Sequence, residues 1–310
     1  MPQMNNSQAR VVDPVLTSAA QGYTNNALVG DILFPTVPVQ ARGGKIIQFG
    51  KEAFMLYATG RSPGANTKRV TFGYSGQPFT LESHSLEGLL PIETMQEAGV
   101  PGIDMGSTTV DGVQEIISLR LEKQRADVAR NPANYGAANK LTLSGASQWS
   151  DPNSDPVGDM SKAQEVVRKK IGKRPNVAVI GAAVFAALKV HPKILERMKY
   201  TGRDVATKEL LASFFELQEL RVGDAVFSDD AGVFSDVWGK DVVLAYVEIG
   251  TVAERGKPSY GYTYQLAGYP EVEEPYFERN IKSWVYPVTD EVAPVIAGAD
   301  AGYLITNAVA

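Results

Sequence analysis

The segment from Lys45 to Leu86 constrains the fold of this chain more than any other. Apolar and polar residues alternate along KIIQFGKEAFMLYA and again along KRVTFGYSGQPFTLESHSL, and the stretch between them, TGRSPGANT, is a Gly, Pro and Asn cluster. Alternation with period two puts successive side chains on opposite faces of a strand, and the cluster supplies turn residues, so the segment predicts one long β-hairpin. Each arm of about 17 residues, at about 3.3 Å per residue, reaches up to about 55 Å. A compact globule of this length has a radius of gyration of only about 19 Å. The hairpin must therefore protrude or fold over. Two strands alone are marginal in water and expose unpaired edges. Local pattern leaves two solutions open: a ribbon covered by another surface, such as a neighbouring subunit, and a ribbon bent back onto its own core.

Upstream, residues 1–44 lack periodicity yet carry Val11, Val12, Val15, Leu16, Leu28, Val29, Ile32, Leu33 and Phe34. A solvated tail is poorer in such residues. Pro14, Pro35 and Pro38 keep the path extended or turned, so the reading is an arm with at most one short helix around Val15 to Gln21. Downstream, a helix is expected over 107–131. Ser107, Thr108 and Thr109 are N-cap candidates, Val110, Val113, Ile117, Leu121 and Val128 fall near helical spacing, and Asn131-Pro132 ends the pattern. At about 1.5 Å per residue this helix is about 35 Å long. Its charged residues Arg120, Glu122, Lys123, Arg125 and Arg130 read as a solvated or lightly packed face.

Residues 131–159 are turn-rich, with a short strand at Lys140 to Leu143 and Trp149 as an anchor. Helices at 160–171, 182–188, 192–200 and along TKELLASFFEL then alternate with strands at NVAVIG, 220–228 and 242–249, the pattern of an α/β layer. Tyr260, Tyr262 and Tyr264 alternate in a strand with one aromatic face, and NIKSWVYPV and AGYLITNAV are two further strand candidates.

Composition removes several chemistries. With no cysteine among 310 residues, thiol-rich zinc modules, disulfides and cysteine nucleophiles are impossible, and two histidines cannot form a three-histidine metal site. A net charge of -5 argues against coating nucleic acid by phosphate neutralisation. The start has no secretory pattern and no window reaches the roughly 18 apolar residues of a membrane span, so a soluble protein made in a cytoplasm is expected. The calcium-loop candidate DPNSDPVGDMSK has Pro156 where glycine is required and Lys162 at the twelfth position, and reads better as an Asx turn. VAVIGAAVFAAL has only Gly181 of the three glycines of a dinucleotide-binding turn. PGANTKR lacks phosphate-loop spacing, and GYSG is one residue short of a nucleophile elbow. His84 is assigned to the hairpin, His191 to a helix boundary, and Asp229-Asp230 to a turn. No catalytic, cofactor-binding or metal site is expected, and no enzyme activity.

The order of apolar arm, long hairpin, long helix, α/β layer and closing strands resembles the major capsid protein of tailed bacteriophages, the Hong Kong 97-type fold. The resemblance covers nearly the whole chain. It is carried by VVDPVLTSAAQGYTNNALVGDILFPTVPV, by GGKIIQFG with KRVTF, by STTVDGVQEIISLRLEKQRADVARNPANY, by NKLTLSGASQWSDPNSDP and by AGYLI. It implies an α+β fold with an N-terminal arm at 1–44, an extended β-hairpin loop at 45–87, a peripheral domain at 88–155 and 261–310 holding the spine helix, and an axial α/β domain at 156–260. The arm and hairpin are then expected to reach over neighbouring subunits, which selects the covered ribbon.

The function implied is self-assembly into pentamers and hexamers of an icosahedral head shell around packaged double-stranded DNA, which the shell contacts weakly and without sequence preference. The expected partners are further copies of the chain, a separate scaffolding protein (the arm begins almost at Met1), a portal and a decoration protein, with no membrane. The expected location is the virion capsid, assembled in the bacterial host cytoplasm. Some relatives join a loop lysine covalently to a neighbour. Lys45, Lys51 and Lys68 lie in the loop, and non-covalent clamping is the expectation. Lys51, Arg61, Lys68 and Arg69 are the candidate subunit-interface residues, as rim contacts to acidic residues of a neighbour. The rival readings are a tail or decoration component and a soluble hydrolase with a carboxylate site in the α/β layer.

Overall fold

The computed structural model describes residues 12–22, 27–48, 59–61, 66–67, 69, 75–99, 104–198, 207–248 and 259–310. Its helices are α1 (Pro14–Gly22), α2 (Ile92–Gly99), α3 (Met105–Arg130), α4 (Pro156–Ile171), α5 (Ala182–Val190), α6 (Pro192–Met198) and α7 (Lys208–Phe214). The strands are β1 (Thr36–Val39), β2 (Gly43–Gln48), β3 (Ser75–Thr80), β4 (Glu82–Pro91), β5 (Lys140–Thr142), β6 (Val177–Gly181), β7 (Glu219–Gly223) and β8 (Val226–Ser228). They continue as β9 (Phe234–Asp236), β10 (Val242–Ala245), β11 (Gly261–Leu266), β12 (Glu271–Val272), β13 (Tyr276–Glu278), β14 (Ser283–Ile296) and β15 (Gly302–Thr306).

Two sheets and one helix organise these elements. β14 is the hub of a six-stranded sheet, pairing with β4, β11, β12 and β13, while β1 adds to β11 in parallel. The second sheet has the order β5-β15-β10-β6-β7 and supplies the α/β layer. β6 and β10 are buried at every position, as expected of strands covered on both faces. The long helix α3 bridges two cores. Val110, Val113 and Ile117 of its first half pack with Leu90, Val272, Tyr286 and Val288. Ala126 and Ala129 of its second half enter the larger cluster with Leu33, Phe34, Trp149, Trp238 and Leu244. Gly88 lets β4 approach this helix, since a Cβ there would lie 2.4 Å from Thr109 Cγ2.

The helix starts earlier than expected. Asp104, not Ser107, Thr108 or Thr109, is the N-cap, accepting from Gly106 N and Ser107 N at 3.0 and 3.3 Å. Ser107 Oγ instead donates to Asp104 Oδ2, and the Thr108 and Thr109 hydroxyls bond back to carbonyls four residues earlier. The expected stop at Asn131 is observed, with Asn131 also capping the following short turn.

The hairpin forms, with a different extent. β2 and β3 pair antiparallel from Gly43↔Thr80 to Gln48↔Ser75, but from Glu82 the chain changes partner and β4 runs ten residues along β14. Period two reports that a residue is in a strand and not which strand it pairs with, so ESHSL was assigned to the wrong ladder. His84 consequently sits in β4 opposite Asp290 rather than in the hairpin. The arm also differs from expectation. Over residues 12–22 and 27–39 it lies on its own subunit: Val12 bridges Glu273, Asp13 N donates to Val272 O, Gln21 reaches Gly268 O, and Leu33 and Phe34 are fully buried. The expected domain edges at 155/156 and 260/261 run between strands of one sheet, because β5 and β15 lie beside β6 and β10.

The Asx turn at Asp151 is present, with Asn153 N donating to Asp151 Oδ1 at 2.8 Å. So is the turn at Asp229, whose Oδ1 accepts from Ala231 and Val233. Gly181 ends β6 where a Cβ would stand 1.8 Å from the Gly239 carbonyl oxygen, so its lack of a side chain serves packing rather than a phosphate. Gly181→Ala is expected to cost about 1–3 kcal/mol through forced backbone displacement. Gly112→Ala, on the exposed face of α3 with no atom within 4 Å of the added Cβ, should gain about 0.5–1 kcal/mol from helix propensity. Urea midpoints of the two variants check both, and equal midpoints would contradict the packing account.

Candidate functional site

The hairpin leaves the body of the protein at a junction of α3, β1, β11 and β14, and this junction is held by charged side chains. Glu122 of α3 is completely buried. Its carboxylate accepts from Val29 N at 2.9 Å, from Gly30 N at 2.9 and 3.0 Å, and from Trp238 Nε1 at 2.7 Å. One carboxylate thus ties the arm, the helix and the α/β layer together. Gly30 makes the approach possible, since a Cβ there would be 2.7 Å from Glu122 Oε2.

One helical turn on, Arg125 is 7% exposed and donates from Nε to Thr263 Oγ1 at 3.0 Å. That hydroxyl in turn donates to Phe34 O at 3.0 Å. Burial pulls the Arg125 guanidinium below its ordinary value, opposed by the charges of Glu122, Asp31 and Asp290. Arg130 donates from Nε to Asp241 Oδ2 at 2.7 Å and from Nη1 to Val237 O at 2.8 Å. The charged face expected to be solvated is therefore buried at Glu122 and Arg125 and engaged at Arg130, while Arg120 is exposed.

The root of the hairpin follows directly. Leu81 N donates to Arg42 O at 2.8 Å, and Phe79 stacks on Tyr264 with centroids 4.3 Å apart. The Arg42 guanidinium forms a two-pronged ion pair with the buried Glu291, its Nε lying 2.7 Å from Oε2. Beside it, Asp290 is buried and accepts at Oδ1 from Gln265 Nε2 (2.8 Å) and Glu291 N (2.9 Å). Desolvation raises the Asp290 carboxyl above its ordinary value, opposed by those two bonds and by the nearby His84 and Arg125.

Of the candidate interface residues, Lys51 and Lys68 lie outside the described residues, as does most of the loop. Arg61 and Arg69 are exposed. Arg61 Nη1 lies 3.5 Å from Thr67 Oγ1 across the loop tip. The Glu122 and Arg125 junction was missed by sequence reading. Its only signal was two opposite charges three residues apart on the helix face that also carries Ala126 and Ala129.

Among the described residues, no catalytic constellation accompanies this junction. Ser154 Oγ lies 3.2 Å from His191 Nε2, but the hydroxyl donates its proton to Asp151 O at 2.7 Å, so the imidazole has no proton to accept from it. His191 is 2% exposed, and desolvation lowers its basicity. Among the described residues no group of three or more His, Asp or Glu is arranged to hold a metal, and no helix is long and apolar enough to cross a membrane.

Residues 107–284, more than half of the chain, match the family described as phage major capsid protein E. The chain is 40% identical over 305 residues to the major capsid protein of Burkholderia phage BcepMu, covering 97% of this chain and 98% of that protein. A crystal structure of a phage-related protein from Bordetella bronchiseptica is similar with a TM-score of 0.84 and 46% identity, over 97% of this chain and 98% of the other. The capsid structure of Cyanophage P-SCSP1u shares the fold at a TM-score of 0.56 and 8% identity, over 92% of this chain and 89% of that one.

Two substitutions test the junction. Glu122→Ala leaves three buried donors unpaired and should lower stability by about 3 kcal/mol or more, with Glu122→Gln, which keeps one acceptor oxygen, losing less. Chemical denaturation checks this order. Asp290→Asn retains the Oδ1 acceptor and removes a charge that burial disfavours. Because the folded carboxyl binds its proton more tightly than the unfolded one, Asp290 favours the folded state below the ordinary aspartate value of 3.8 and loses that contribution as pH rises through its raised folded value. The Asn variant should melt higher than wild type near neutral pH, with the gap closing toward acid. A gap that is constant with pH would contradict the burial account.

Proposed function

This chain belongs to the phage major capsid protein family, with the Hong Kong 97-type fold and a place in the virion, and from that premise we propose that copies of it associate into pentamers and hexamers that close an icosahedral head shell around packaged double-stranded DNA. The activity is assembly rather than catalysis. The observation that supports this reading is the hairpin root, where among the described residues β2 and β3 pair only with each other yet are fixed to the body through Arg42–Glu291 and Phe79–Tyr264. A ribbon that is anchored rigidly at its base and unpaired along both edges is built to be covered by another copy. Heterologous contacts of this kind, repeated head to tail, close into rings.

We assign the loop beyond this root as the clamp, with Lys51, Arg61, Lys68 and Arg69 as rim contacts. The division into domains is moved to follow the sheets. The axial domain takes the layer built on β5, β6, β7, β10 and β15, and the peripheral domain takes β14 with its partners and the first half of α3. A scaffolding protein, a portal and a decoration protein are the further partners, with assembly in the bacterial cytoplasm. The net charge of -5 suits a shell that must release its genome, since strong phosphate neutralisation would hold the DNA on the wall.

Deleting Met55 to Lys68 should leave a folded, soluble subunit while shells fail to form. Circular dichroism of the subunit and electron microscopy of the assembly reaction check the two halves. Unfolding of the subunit would mean that the loop belongs to its own core, and unimpaired shells would mean that it is not the clamp.

A further inference from the structure

Resting on the assembly reading, we infer that the β8–β9 hairpin, residues 226–236, is the surface on which the extended loop of a neighbouring copy docks. β8 and β9 form a separate two-stranded ribbon with no other strand beside it among the described residues. Its register places Val226 opposite Asp236 and Ser228 opposite Phe234, so these four share one face. The other face carries Phe227, which turns inward beneath the Lys123 ammonium, 5.1 Å from the ring centroid. The outward face is bare. Phe234 is 74% exposed and Val226 46%, and Val233 in the adjoining turn is 57% exposed. Three large apolar residues on one short ribbon are a concentration that a solitary surface does not favour.

Charge selects the occupant. Residues 224–236 carry Asp224, Asp229, Asp230 and Asp236 and no Lys or Arg. Asp229 is spent on its own turn, but the carboxylates of Asp224, Asp230 and Asp236 have no ion-pair or hydrogen-bond partner among the described residues. The stretch 43–80 has the opposite character in an otherwise acidic chain. It carries Lys45, Lys51, Arg61, Lys68 and Arg69 against the single acid Glu52, and it interleaves them with Phe54, Leu56, Tyr57, Val70 and Phe72. A basic and apolar ribbon meeting an acidic and apolar one satisfies both in a single contact. The acidic run Glu271–Glu278 is a poorer match, because Arg279 and Lys282 stand beside it and Glu271 and Glu273 are already engaged.

Assembled particles of the full-length chain, made from a mixture of isotope-labelled and unlabelled subunits, provide the test. A carbodiimide activates a carboxylate as an O-acylisourea, and a lysine amine in contact with it attacks that acyl carbon, forming an amide and expelling the reagent as a urea. The expected product joins Lys51 or Lys68 of one copy to Asp229, Asp230 or Asp236 of another, read by mass spectrometry as mixed-isotope pairs. Loop lysines joined instead to Glu271–Glu278, or no such product, would overturn the assignment.

Asp230→Lys with Asp236→Lys gives an independent reading, since neither carboxylate supports the fold. This variant should remain a folded subunit and lose shell yield by about tenfold or more. Adding Lys68→Glu and Arg69→Glu in the same chain should restore it. Unchanged assembly of the first variant, or no restoration by the second, would also overturn the proposal. Absence of shells from the wild-type chain is a separate result, which would sink the capsid reading itself.

Discussion

A carboxylate with no access to water must find its hydrogen-bond donors within the protein, and Glu122 finds three of them in two distant parts of the chain, the arm and the segment holding Trp238. The penalty for leaving such a group unpaired exceeds the gain from an ordinary surface contact several-fold. Its satisfaction therefore requires that the arm turn at Val29-Gly30, the helix α3 and the segment holding Trp238 all be in place together. Arg125 imposes the same condition on β1 and β11 through Thr263, whose hydroxyl passes the constraint on to Phe34 O. The helix is thus less a strut with a wet face than the member on which the two cores are registered against each other.

That register carries outward to the hairpin. β11 holds Tyr264 beneath Phe79, and β14 holds Glu291 beneath Arg42, so the base of the ribbon is clamped on one side by stacking and on the other by an ion pair to a buried carboxylate. Partly buried pairs of this kind contribute geometry as much as stability, because breaking one leaves a charge without solvent. The direction in which the loop departs is then a property of the whole junction. For a subunit whose work is to fit a neighbour, a fixed direction of departure matters more than the stability of the ribbon itself.

The parts legible in the sequence were those written as local periodicity or turn chemistry. The root of the hairpin, the long helix with its stop at Asn131, the strand NVAVIG and the turns at Asp151 and Asp229 all stand close to where the local pattern puts them. Errors arose wherever a partner far along the chain decided the outcome. β14 runs fourteen residues through Pro287, Pro294, Asp290 and Glu291, a composition that argues against a buried strand. It persists because β4 and β11 pair with it, and because Gln265, Arg42 and the Glu291 amide satisfy its acids. The arm pattern suggests a reach outward, yet residues 12–22 and 27–39 lie on their own subunit, since β11 and β12 offer them edges to pair with.

By itself the sequence determined a β-hairpin that starts near Lys45, a long amphipathic helix, an α/β layer, a basic loop in an acidic protein and no thiol chemistry. These are statements about neighbours within a few residues, where backbone period, turn residues and charge count act directly. Only the tertiary structure decided which strands pair, where the hairpin ends, and that Glu122 and Arg125 belong inside rather than outside. A charged residue on a helix reads the same whether water or three buried donors await it, and only the folded chain brings Val29, Gly30 and Trp238 to that carboxylate.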